Sequence, residues 1–144
     1  MDVTPQGNEG YLTEVDIRLY LRDADPAANV LIDDLEYTPE EIRAAATHTV
    51  DYWNEQPPNV GECTVYTMPF RFHLLMGTAA QLLFIAAHRF RRNALQYSVP
   101  GGGISDQAKA PQYDEAGTRL WTQYTEFVRA KKREINISQG WGYA

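Results

Sequence analysis

A thiol and three imidazoles are the side chains of this chain best suited to covalent or metal chemistry, and their spacing works against both. Cys63 is the single cysteine, with His73 ten residues on as the nearest base in sequence. A cysteine nucleophile needs its base oriented by a third group, and nothing places one here, so Cys63 reads as a small buried hydrophobe. His48, His73 and His88 stand apart from one another and from Cys63, without a His-x-x-x-His or Cys-x-x-Cys pair, so no zinc site is expected. Asp23, Asp25, Asp33, Asp34 and Glu36 gather enough acid to attract a cation, but their spacing is not that of a calcium loop, and the glycine of its sharp turn is missing. They read as solvated surface. Gly101, Gly102 and Gly103 follow a helical pattern instead of a strand and lack the Gly-Lys-Ser/Thr ending of a phosphate loop, which makes them a hinge. No catalytic, cofactor or metal residues are assigned, no cofactor is expected, and an enzyme is not the expected reading.

Binding chemistry is better represented. In His88-Arg89-Phe90-Arg91-Arg92, Arg89 and Arg92 share a helix face three residues apart while Phe90 turns inward. Lys131, Lys132 and Arg133 make a second basic patch. Such charges attract phosphate without reading bases, so they suit non-specific contact with DNA as a polyanion, or pairing with acid on the same or a neighbouring subunit. The acid lies elsewhere: residues 1–66 hold 14 Asp and Glu against 3 Lys and Arg, and residues 67–144 hold 5 against 10. Asp33, Asp34, Glu36, Glu40 and Glu41 are the inter-subunit candidates on the acidic side. A subunit with a negative and a positive side is built to meet copies of itself head to tail. The overall charge of −6 disfavours a free-standing DNA-binding protein.

The elements that must position these residues are helical, in one domain of 144 residues. After a flexible tail over residues 1–10, Thr13 opens a helix whose apolar side is Val15, Ile17, Tyr20 and Leu21. Residues 27–35 suit one or two helical turns. Thr38-Pro39-Glu40-Glu41 is a capping box with proline at the first helical position, and Ile42, Ala46, Val50 and Trp53 then form a buried stripe as far as Pro57-Pro58. The β-branched and aromatic residues around 62–68 predict a short strand or extended segment. A long central helix runs from about Phe70 to Gln96, apolar nearly all round its middle. Its apolar stretch from Leu74 to Ala87 is too short to span a bilayer, and no membrane association is expected. The glycine break leads to a last helix from about Ala110 or Pro111 to Glu134, with Tyr113, Ala116, Leu120, Tyr124, Phe127 and Val128 facing inward.

Residues 135–144 are expected to be an extended arm. Ile135, Ile137, Trp141 and Tyr143 are costly to leave in water, so they either fold back onto their own core or, as the glycines beside Trp141 favour, are ordered by a partner that takes alternate side chains into pockets. The lone cysteine and the lack of a basic-then-apolar segment at Met1 suit synthesis in a reducing cytoplasm.

Three stretches resemble the N-terminal half of small virion proteins of tailed bacteriophages. They are Ile17-Arg18-Leu19-Tyr20-Leu21-Arg22-Asp23, Leu31-Ile32-Asp33-Asp34-Leu35-Glu36-Tyr37-Thr38-Pro39-Glu40-Glu41-Ile42, and Val50-Asp51-Tyr52-Trp53-Asn54-Glu55-Gln56-Pro57-Pro58. Tyr66-Thr67-Met68-Pro69-Phe70-Arg71, Asn93-Ala94-Leu95-Gln96-Tyr97-Ser98 and Lys131-Lys132-Arg133-Glu134-Ile135-Asn136-Ile137 extend the similarity to most of the chain. The type it resembles is the head–tail connector adaptor, the neck subunit that docks beneath the portal.

The resemblance implies a mainly α bundle of about four helices, assembled in the virion as a homo-oligomeric, dodecameric ring around the channel used in genome packaging and ejection. It implies as partners the chain itself, the portal protein and a stopper or tail-completion protein. Residues 135–144 then become the portal-docking arm, and Thr64, Val65 and Tyr66 the segment facing the stopper or tail. Arg89, Arg92, Lys131, Lys132 and Arg133 become inter-subunit or channel-lining residues. The alternatives are a tail-completion or baseplate subunit, and a small helical regulator or enzyme of the cytoplasm.

Overall fold

Thr13 and Thr38 each begin a helix with their own side chains. In the computed structural model, which describes residues 12–23, 36–96 and 104–141 (side chains at 93–96, 104–109, 140 and 141 excepted), both threonines close a capping box. The Thr13 hydroxyl accepts from the Asp16 N–H at 3.3 Å and the Asp16 carboxylate accepts from the Thr13 N–H at 3.0 Å. Thr38 and Glu41 repeat the arrangement at 3.1 and 2.9 Å, with Pro39 at the first helical position.

Four α-helices follow among the described residues: α1 (Glu14–Leu21), α2 (Pro39–Glu55), α3 (Arg71–Gln96) and α4 (Ile104–Asn136). The main layer is the α3–α4 pair, α2 lies across α3, and α1 bridges α2 and α3. At 1.5 Å per residue the 26 residues of α3 span about 39 Å, the axis of the bundle.

Small residues set how closely the axis is approached. A Cβ on Gly77 would lie 2.4 Å from Thr49 Cγ2 and 3.1 Å from the Tyr124 ring, so α2, α3 and α4 meet where only hydrogen fits. At Gly117 of α4 a Cβ would lie 3.0 Å from Phe84. Ala79, Ala80, Leu82, Ala86 and Ala87 are buried between these points. The expected α2 stripe is buried, and Ala45 and Thr49 join it; the Thr49 carbonyl receives the Tyr124 hydroxyl at 2.6 Å.

The structure corrects several expectations. In α1 only Ile17 and Leu21 of the four expected apolar residues face inward; Val15 and Tyr20 are exposed and Arg18 is buried in their stead. Ile17 and Leu21 are one turn apart, which puts Val15 on the far side of a short helix. The 62–68 segment contains no strand: Val65–Thr67 is a turn, closed by Thr64 and Thr67. The Thr64 N–H donates to the Thr67 hydroxyl at 2.7 Å and the Met68 N–H to the Thr64 carbonyl at 3.0 Å. No neighbouring strand competes for these groups among the described residues, so local threonine bonding prevails over β-propensity.

Helix α4 begins at Ile104, earlier than Ala110 or Pro111, and carries Pro111 within it; from Ile104 onward no glycine interrupts until Gly117. Its C-terminal end is the larger correction. Residues 135 and 136 continue α4, and Ile137–Trp141 form a π-helical turn, so this stretch is coiled on itself and not extended. No glycine or proline stops the helix before Gly140, and the Ser138 hydroxyl donates to the Ile135 carbonyl at 2.9 Å. The expected tail at 1–10, the short segment at 27–35, the glycine break and Tyr143 lie outside the described residues, as do Asp25, Asp33 and Asp34.

Candidate functional site

Much of the charge that the sequence offers to partners is used inside the chain. Asp23, buried after the end of α1, accepts the N–H of Glu36 at 2.7 Å and of Tyr37 at 3.0 Å while Arg18 pairs with it at 3.0 Å. Arg89 of α3 reaches the same place. It donates to the Glu36 carbonyl at 2.9 Å, pairs with Glu41 at 2.5 Å and lies 6.0 Å from the centre of the Tyr37 ring. Three of the expected inter-subunit residues, Arg89, Glu36 and Glu41, thus hold the α2 entrance against α3. Burial and the Glu36 carboxylate together raise the Tyr113 pKa.

Lys132 is fully buried, not a surface cation. Its ammonium donates to the Gln56 carbonyl and sits 5.1 Å from the Trp53 ring centre, tying α4 to the end of α2; burial lowers its pKa. Lys131 is half-buried, 5.5 Å from the Phe70 ring centre and 3.3 Å from Glu134. Arg92 and Arg133 are exposed, and neither has an ion pair among the described residues. Glu40 is exposed on α2 in the same condition.

No hydrogen bond joins Cys63 to His73. The backbone of Cys63 is clamped by Asn54, whose amide oxygen accepts its N–H at 2.8 Å and whose amide nitrogen donates to its carbonyl at 2.9 Å. Burial raises the thiol pKa, against the lowering influence of Lys132. His73 stacks flat on Phe127 at 3.5 Å and meets the edge of Phe72. Burial first and Lys131 second depress its pKa. Burial disfavours the Cys63 thiolate, and His73 is engaged with Phe127 and not hydrogen-bonded to the thiol, so His73 does not activate it in this arrangement. Among the described residues no group of three His, Cys, Asp or Glu is arranged to hold a metal ion, and no helix is long and apolar enough to cross a membrane.

What remains outward includes several large apolar side chains. Tyr66 in the turn after Cys63 is 72% exposed, Thr64 is exposed and Val65 packs against the core. Phe72 at the start of α3 is 61% exposed, and Leu19, Ile137, Val15 and Tyr20 add further apolar surface. Ile135 packs against the core, opposite in role to Ile137; the Trp141 side chain is outside the description. Phe72, Leu19, Asp51 and Glu55 are exposed residues that the sequence did not single out, and Arg129 is exposed as well. Leu19 was within reach of a helical wheel, because Val15 and Leu19 are one turn apart and opposed to Ile17 and Leu21.

No protein-family model matches the chain, and neither the curated proteins nor the solved structures searched contain a match to it.

Proposed function

We propose that this chain is the head–tail connector adaptor of a tailed bacteriophage, a virion subunit that forms a ring between the portal and a stopper or tail-completion protein. The observation that carries the reading is the exposure of Leu19 on α1, Phe72 on α3 and Ile137 in the π-helical turn. Large apolar side chains in such positions gain by being covered, and a virion subunit has neighbours above, below and beside it. The helical bundle agrees with the architecture that the sequence resemblance implies.

In this reading Tyr66 and its turn contact the protein below. Portal docking falls to the end of α4 and its π-helical turn, with Ile137 as the described apolar contact. The docking element is therefore a helix terminus, in place of the extended arm first expected. Arg92, at the exposed end of α3, is suited to non-specific contact with DNA in the channel.

Negative-stain imaging of the purified chain, alone and mixed with its cognate portal, tests the proposal. Rings stacked on the portal are expected in the mixture. A chain that ignores the portal at low and moderate salt contradicts it.

A further inference from the structure

Two exposed helix faces carry charge that has no ion pair among the described residues. Asp51 and Glu55 stand one turn apart on the outer side of α2, and neither has an ion pair among the described residues. Like charges at this spacing repel, and both lie toward the negative end of the helix, whose last turn has no basic residue. Arg129 and Arg133 stand one turn apart on the outer side of α4, exposed and likewise without an ion pair. Their neighbours Lys131 and Lys132 are already engaged by Glu134 and Gln56.

We propose that these two faces dock on each other between neighbouring copies of the chain, the α2 carboxylates of one copy receiving the α4 guanidinium groups of the next. The inference rests on the ring reading above and names the lateral contact that closes the ring. Each face is complementary to the other and repulsive to itself. A two-fold contact of either face with its own copy puts like on like, whereas a head-to-tail contact pairs two carboxylates with two guanidiniums at matched one-turn spacing. Beside the charges, Thr47 and His48 are exposed one turn before Asp51 on α2; on α4, Glu126 is exposed one turn before Arg129, and Ala130 beside it adds little bulk.

Charge reversal distinguishes this contact from others. Sedimentation velocity is run over a concentration series at low and moderate salt on four samples: the unmodified chain, Asp51→Arg/Glu55→Arg, Arg129→Glu/Arg133→Glu, and an equimolar mixture of the two variants. The unmodified chain is expected to self-associate, more weakly as salt rises. Each variant alone is expected to lose association by on the order of a hundredfold, since its two faces now carry the same sign. The mixture restores it, because every basic face again meets an acidic one. Circular dichroism melting of each variant shows that the helices are intact.

Variants that associate as the unmodified chain does overturn this contact and leave the ring reading standing. An unmodified chain that stays monomeric throughout overturns the contact, while portal-bound rings in the imaging experiment would still uphold the ring. Should the arginine variant self-associate normally but lose retention on duplex DNA, the α4 face belongs to nucleic acid and the proposal falls.

Discussion

Arg18, Asp23, Arg89 and Glu41 have the same chemistry as Asp51, Glu55, Arg129 and Arg133, yet the first four are consumed by the fold and the second four are left to solvent. The first set lies where α1, α2 and α3 converge. Asp23 there accepts two backbone N–H groups and a guanidinium, and Arg89 joins residues 53 and 48 positions away. Withdrawing those charges from water is repaid only by that complete set of bonds. The second set is exposed and has no ion pair among the described residues, which leaves it facing solvent. The charge asymmetry of the chain is therefore part scaffold and part surface, and only the surface part bears on assembly.

Asp23→Ala should separate the two sets most sharply. It takes from the Arg18 guanidinium one of its two carboxylates, Glu14 remaining at 2.8 Å, and leaves the Glu36 and Tyr37 N–H groups without their acceptor, so an equilibrium urea titration is expected to show a loss of about 2–5 kcal/mol. Gly77→Val inserts a branched side chain where even a Cβ would lie 2.4 Å from Thr49, and the same titration should show a loss of about 1–3 kcal/mol. A smaller effect comes from pH. Packed against Phe127 and Phe72 and facing Lys131, His73 has a folded-state pKa below its ordinary 6.5. Between the two values the unfolded chain binds more protons, so stability rises with pH and falls on acidification below 6.5. His73→Phe is expected to flatten that part of the pH–melting curve. Asp51→Asn/Glu55→Gln should do least to the monomer: a change within about 0.5 kcal/mol, in the stabilising direction because a like-charge pair at the wrong end of α2 is removed. A large loss in this last variant would make the second set structural and erase the comparison.

The helices were legible where local chemistry decides them. The capping boxes at Thr13 and Thr38, the stripe from Ile42 to Trp53 and the apolar run of α3 depend on neighbours within a few residues. The partners of Arg89 and Lys132 were not legible, because Arg89 meets Glu41 across 48 positions and Lys132 meets Gln56 across 76. Nor does a glycine inside a helix announce that two other helices close on it, as they do at Gly77. The turn at Val65–Thr67 and the end of α4 misled for a common reason: two to four β-favouring residues have no strand to join, so helical or turn bonding is the available alternative. Of the exposed side chains, Tyr66 and Arg133 were visible in the sequence as candidates, whereas Phe72 and Asp51 needed the packing to show which side of each helix faces out.

The most direct test of the adaptor assignment is mass photometry of the portal assembly with and without an excess of this chain. The account predicts a discrete added mass that is a fixed multiple of 16.4 kDa, saturates, and matches the symmetry of a closed ring. A portal whose mass is unchanged, or one that takes up the chain without a saturating stoichiometry, would contradict it.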